Sequence, residues 1–302
     1  MTRLLLLGAV GLAAQLVDGA LGMAYGVTSS TLLLIVGVSP AAASASVHLS
    51  EIATTAASGA SHWRFGNVDW STVRRIALPG AVGAFGGAVL LSSIDGEVAK
   101  PWMAGILLAL GVYILARFSF TKMAVPTTTT ALRKRFLAPL GIFAGFVDAI
   151  GGGGWGPVAT PSLLVSGRME PRKVVGSVDT SEFVVALAAS VGFLLSLGRE
   201  GVQTPIVIAL LVGGIIAAPL AAYIVRHIAP RTLGAAVGGM IILSNARTVL
   251  LALAVPGPAR AVVYAVTAVI WAVAVAAALR EAGGDRQTVE TAVPGRPVPV
   301  EG

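Results

Sequence analysis

The chain has 302 residues, 56% of them hydrophobic and only 12% charged, with a mean hydropathy of +0.86. This composition excludes a water-soluble globular domain, and the absence of cysteine excludes disulfides, thiolate chemistry and cysteine-bound metals. Long apolar runs recur from end to end, so the net charge of +7 reads as a positive-inside bias of loops rather than a nucleic-acid surface.

In chain order, residues 4–17 are an apolar helix. With Arg3 ahead of it this run has the look of a secretory signal. It aligns, however, with residues 137–147, so its removal would truncate a repeat, and retention is expected. Asp18–Thr31 then brings a glycine break with Gly22 and Gly26, followed by a half-length apolar piece at 27–37, closed by Ser39-Pro40. Residues 41–62 form an unusually polar helix with Ser46, His48, Ser50 and Glu51, which in lipid must face protein or a water cavity. Spans follow at 73–94, with a small-residue face at Gly83 and Gly87, and at 101–118. A polar, basic stretch at 119–135 connects the halves.

The order then repeats. Residues 136–147 are a helix, and Asp148–Gly156 is a second break with four consecutive glycines. Pro157 suits the first turn of a restarted helix at 157–166. Helices at 174–197, 204–226 and 231–253 complete the copy. Asp18 matches Asp148, Tyr25 matches Trp155, Gly26 matches Gly156, and Ser46–Glu51 matches Ser177–Glu182 with Asp179 in the place of His48. An extra apolar segment, 259–279, precedes a polar tail at 281–302 that reads as disordered.

Charge decides between two topologies. With four full spans per repeat, eleven Lys and Arg fall inside and nine outside, which is hardly a bias. If each break turns the chain back, three spans remain per repeat and the second copy is inverted. Sixteen then lie inside (Arg64, Arg74, Arg75, Arg117, Lys122, Arg133, Lys134, Arg135, Arg168, Arg172, Lys173, Arg226, Arg231, Arg280, Arg286, Arg296) and four outside (Arg3, Lys100, Arg199, Arg260). The expected fold is therefore an all-α polytopic membrane protein: two inverted repeats with glycine-broken re-entrant helices, plus one extra C-terminal transmembrane helix. Its parts are a first repeat at 1–118, a cytoplasmic connector at 119–135, a second repeat at 136–253, the extra helix at 254–280 and the tail. Broken helices in inverted repeats put a transporter's substrate site at the breaks.

With those paired breaks and paired Ser-Glu helices, the chain resembles the TauE/SafE sulfite exporter family. Gly145-Phe-Val-Asp-Ala-Ile-Gly-Gly-Gly-Gly-Trp-Gly-Pro-Val-Ala-Thr-Pro-Ser-Leu163 carries the resemblance, with its degenerate partner at 11–33 and with Gly176–Phe183 and Ala45–Ile52. It covers roughly residues 5–255. The first copy departs from the second: it lacks the run of four glycines, and Val27 stands where the second has Pro157. The resemblance implies transport of a small sulfur-containing anion or organic acid, such as sulfite, thiosulfate or a sulfonate. Nothing in composition or spacing speaks of sulfur.

From the residues themselves, the N-termini of the half-helices offer free N–H groups and partial positive charge to an anion. Gly22, Gly26, Thr28, Gly153, Gly154, Gly156 and Thr160 are the expected substrate contacts, although glycines also simply permit tight packing. Glu51, Glu182, His48 and Asp179 are the expected proton-coupling groups, and structural carboxyls are the alternative. Asp18 and Asp148 are expected to cap the breaks. Arg117 and Arg247 are candidate anion ligands, or they snorkel to headgroups. Trp155 and Tyr25 either wall the site or fill space. No cofactor and no metal is expected, because His48 and Glu51 lack a third ligand at a telling spacing, and no Lys-Ser/Thr follows the glycines as a nucleotide loop requires. The expected partners are a small anion and the bilayer of the cell membrane, not nucleic acid, and assembly into a homo-oligomer is left open. The expected function is a secondary permease working by alternating access. The rivals are a membrane-embedded enzyme using Glu51, Glu182 and His48, and a passive anion channel.

Overall fold

The computed structural model describes residues 2–21, 23–120, 132–166, 168–224 and 230–291. Among them every regular element is a helix: α1 (Thr2–Leu21), α2 (Tyr25–Ile35), α3 (Pro40–Arg64), α4 (Trp70–Ser93), α5 (Gly96–Phe120), α6 (Lys134–Gly151), α7 (Trp155–Val165), α8 (Pro171–Gly201), α9 (Thr204–Ile224), α10 (Pro230–Ala252) and α11 (Gly257–Thr291). Among the described residues, five helices are long and apolar enough to cross a membrane: α4, α5, α8, α10 and α11. At 1.5 Å per residue, the 11-residue α2 and α7 reach only about half of a hydrocarbon core roughly 30 Å thick.

Local chemistry sets the boundaries. Pro40 and Pro171 open α3 and α8, where a missing N–H costs nothing. Ser39-Pro40 thus starts a helix rather than closing one. Asp69 caps α4, accepting from the Thr72 N–H at 2.7 Å. The α6 helix ends at Gly152, with φ of 66°, and Gly153 follows at 150°. In the first copy Ala24 takes the left-handed position at 99°, which a side-chain-bearing residue rarely adopts. The α11 helix runs past the apolar segment to Thr291. Residues such as Glu281, Ala282, Arg286 and Gln287 are good helix formers that extend an already nucleated helix. Gly22, most of the 119–135 connector and residues 292–302 lie outside the described residues.

The packing pairs elements reciprocally: α4 lies on α6 as α9 lies on α1, while α3 packs on α8 and α5 on α10. Glycines permit the close approaches and reveal the registers. Gly83 meets Ile142 and Gly87 meets Phe146, so α4 and α6 run parallel. Gly80 meets Val185 and Gly192 meets Ala88, so α4 and α8 are parallel too. Gly59 meets Thr180 and the His48 ring lies beside that of Phe193, which makes α3 and α8 antiparallel. Gly111 meets Ile241 and Gly238 meets Leu115, which makes α5 and α10 antiparallel.

Candidate substrate cavity between the two helix breaks

The two breaks, far apart in sequence, touch. The Ser30 hydroxyl donates to the Gly152 carbonyl. A Cβ added to Gly26 would sit 2.6 Å from Gly153 Cα and 3.0 Å from Glu51 Oε1. One added to Gly153 would collide with the Gly26–Val27 backbone. Each break is capped alike. Asp18 Oδ1 accepts from the Tyr25 N–H at 3.1 Å, and Asp148 Oδ1 accepts from the Trp155 N–H at 3.0 Å. The capping role expected of both aspartates is what their geometry provides.

Beside the contact lies a cavity of about 220 Å³. Gly26, Gly153, Gly154, Gly156 and Thr160 line it, together with Tyr25 and four carboxylates: Asp18, Glu51, Asp179 and Glu182. No Lys or Arg is among its described lining, and His62 stands toward the end of α3. Glu51 is 3% exposed, and its Oε2 has no hydrogen-bond partner. A buried carboxylate oxygen without a donor is costly unless a proton or a ligand meets it.

Comparison with known proteins identifies the family. The family model described as Sulfite exporter TauE/SafE matches residues 7–248. This chain belongs to the TauE/SafE family. The TauE/SafE chain is similar to a Bacillus subtilis (strain 168) protein described as a probable membrane transporter, YtnM: 51% identical over 294 residues, covering 97% of this chain and 98% of the relative. A second relative from the same organism, the probable membrane transporter YdhB, is 29% identical over 148 residues, 48% of this chain and 60% of its own length. No solved structure matches. The family and the apolar helices make this TauE/SafE chain a multi-pass protein of the cell membrane.

Several candidates of this TauE/SafE protein do not reach the cavity. His48 is fully buried beside it, its Nε2 3.1 Å from Asp148 Oδ2 and its Nδ1 2.8 Å from the Ser44 carbonyl. A carbonyl only accepts, so Nδ1 carries hydrogen, and one further proton lies between Nε2 and the carboxylate. Ser44 Oγ also donates to the Ala149 carbonyl at 2.6 Å, so this cluster ties α3 to the end of α6. Arg247 lines a different pocket of about 650 Å³, with Lys100, where α2 ends, α5 begins and α10 ends. Arg117 lies beside Tyr113, away from the cavity lining. Thr28 is 1% exposed, its hydroxyl has no partner, and it is not among the residues that line the cavity. Trp155 is fully buried and donates from Nε1 to the Val178 carbonyl at 3.0 Å, so it fills space. Tyr25 lines the cavity, its hydroxyl 3.2 Å from Ser50 Oγ.

Two residues escaped the sequence reading. Gln15 lines the cavity from α1. Asn245, 3% exposed, donates from Nδ2 to Thr31 Oγ1 at 3.0 Å and joins α10 to α2 in the lining of the second pocket. Each is a lone amide in an apolar run, and that was the available signal.

Proposed function

We propose that this protein is a secondary permease for a small anion, sulfite, thiosulfate or a sulfonate, working by alternating access of two inverted repeats. The observation that carries the proposal is the meeting of two equivalent helix breaks around one polar cavity. Helix directions support the inversion, because the equivalent pairs α3/α8 and α5/α10 are antiparallel. They also support a re-entrant second break. Since α6 and α8 both run with α4, the chain that descends through α6 has to return through α7 before α8 descends again. Non-helical backbone at membrane depth is tolerable there because the opposing break and the cavity cover it. The cavity extends along α3 toward His62, and the Asn245–Thr31 bond lies in the lining of the Lys100–Arg247 pocket.

The acidic lining refines the reading. An anion enters a space walled by Asp18, Glu51, Asp179 and Glu182 only if protons accompany it, so cargo and protons share the cavity. Protonated carboxyls then add O–H donors to the backbone N–H groups of the break.

Proteoliposomes holding the purified protein and an imposed pH gradient test this. Labelled sulfite, thiosulfate and taurine are offered in turn. At least one is expected to accumulate saturably, with Gly154→Leu and Glu182→Gln each lowering the initial rate by about tenfold or more, equivalent to some 1.4 kcal/mol. No movement above protein-free vesicles for any of the three contradicts the assignment.

A further inference from the structure

The two halves repeat the cap and then diverge at one point. In the second break Asp148 spends one oxygen on the Trp155 N–H and the other on His48. In the first break Asp18 spends one oxygen on the Tyr25 N–H in the same way. The position equivalent to His48 is Asp179, a second acid, and it lines the same cavity as Asp18. The neutralised pair, His48–Asp148, is sealed in the core, and the two acids line the cavity.

We propose that Asp18 and Asp179 together form the site that takes up the coupling proton, and that His48–Asp148 is its permanently satisfied counterpart. The inference rests on the reading of the cavity as a transport site. Around the pair stand Gln15 from α1, Tyr25 from α2, Glu51 and His62 from α3 and Glu182 from α8; the other elements place no charged side chain on the cavity wall. None of these neighbours is a Lys or Arg, so the counter-charge has to come from solution. Ser58 lines the same wall, and Asp179 Oδ2 has no hydrogen-bond partner. The unpartnered Glu51 Oε2 in the same lining independently shows room for a donor. A proton shared by two acids leaves a smaller negative charge facing the cargo. Its release on the far side restores the repulsion that expels an anion.

The test begins without substrate. Purified protein in lipid is stepped between pH 8 and pH 5 while the infrared C=O band of protonated carboxyls is recorded. The wild type is expected to gain a component that Asp18→Asn and Asp179→Asn each remove, with the double variant removing no more than either one. Glu182→Gln should remove a different component. Asp179→His, which copies the His48–Asp148 arrangement, should abolish the shared component and make sulfite flux independent of the pH gradient. Retention of the component in both Asn variants, separate additive losses, or a component set by sodium rather than pH would each overturn the proposal. If no anion is transported at all, the infrared result still stands by itself, so failure of the anion assignment is told apart from failure of the proton site.

Discussion

Gly153→Ala is expected to abolish transport and to lower the melting temperature in detergent, while Gly154→Ala leaves both near the wild-type values. The two glycines are neighbours, and their surroundings differ. Gly153 has a φ of 150°, and a methyl there runs into the backbone of Gly26 and Val27, which is the tip of the opposing break. Backbone cannot yield as a side chain does, so the two tips must separate. Strain and overpacking together amount to about 3 kcal/mol or more. Gly154 has a φ of 170°, which is extended backbone. Its added Cβ would lie 3.2 Å from the Val147 Cγ1 methyl and 3.3 Å from the Asp148 backbone, close contacts that a small shift relieves. Thermal unfolding followed by fluorescence, beside proteoliposome uptake, reads both effects. A Gly153→Ala variant that melts and transports like the wild type would mean that the tips do not touch.

The second large effect is expected at His48→Ala. The substitution leaves Asp148, 1% exposed, without the partner of its second oxygen. Removing one member of a buried pair costs roughly 3–5 kcal/mol, because a charge is left uncompensated. Asp148 also caps α7, so the loss should spread to the break. The double variant His48→Ala with Asp148→Asn should regain part of the stability, since an amide oxygen still accepts from the Trp155 N–H and carries no charge. The double-mutant cycle in detergent melting temperature therefore departs from additivity. Additive shifts, or a His48→Ala variant as stable as the wild type, would contradict the role given to this pair.

Local chemistry made much of the fold legible. The glycine runs, the polar helix with Glu51 and its copy with Glu182 stand out against an apolar background, and helix ends fall near the punctuating Gly and Pro residues. The cavity glycines were readable for the same reason. Partner choice was not. Nothing in spacing says that His48 reaches Asp148, a hundred residues on, and so leaves the cavity to Asp179. That contact depends on how α3 crosses α6, which local periodicity does not encode. Arg247 stands late in the last span of its repeat, as Arg117 does, and the course of α10 carries it to the pocket beside Lys100. Ser39-Pro40 misled because proline both ends and begins helices, and only the direction of the chain beyond it tells which.

The inverted, re-entrant arrangement is the centre of the account, and the side of the membrane reached by single residues tests it most directly. The chain has no cysteine, so single substitutions give unambiguous labels. Arg64→Cys, Arg172→Cys and Glu97→Cys are each exposed to a membrane-impermeant maleimide, first in intact cells and then in inverted vesicles. Arg64→Cys and Arg172→Cys should react only in inverted vesicles, from the cytoplasmic side, and Glu97→Cys only in intact cells. Labelling of Arg172→Cys in intact cells would mean that α6 and α7 cross the membrane as one span, and the inverted arrangement would fall.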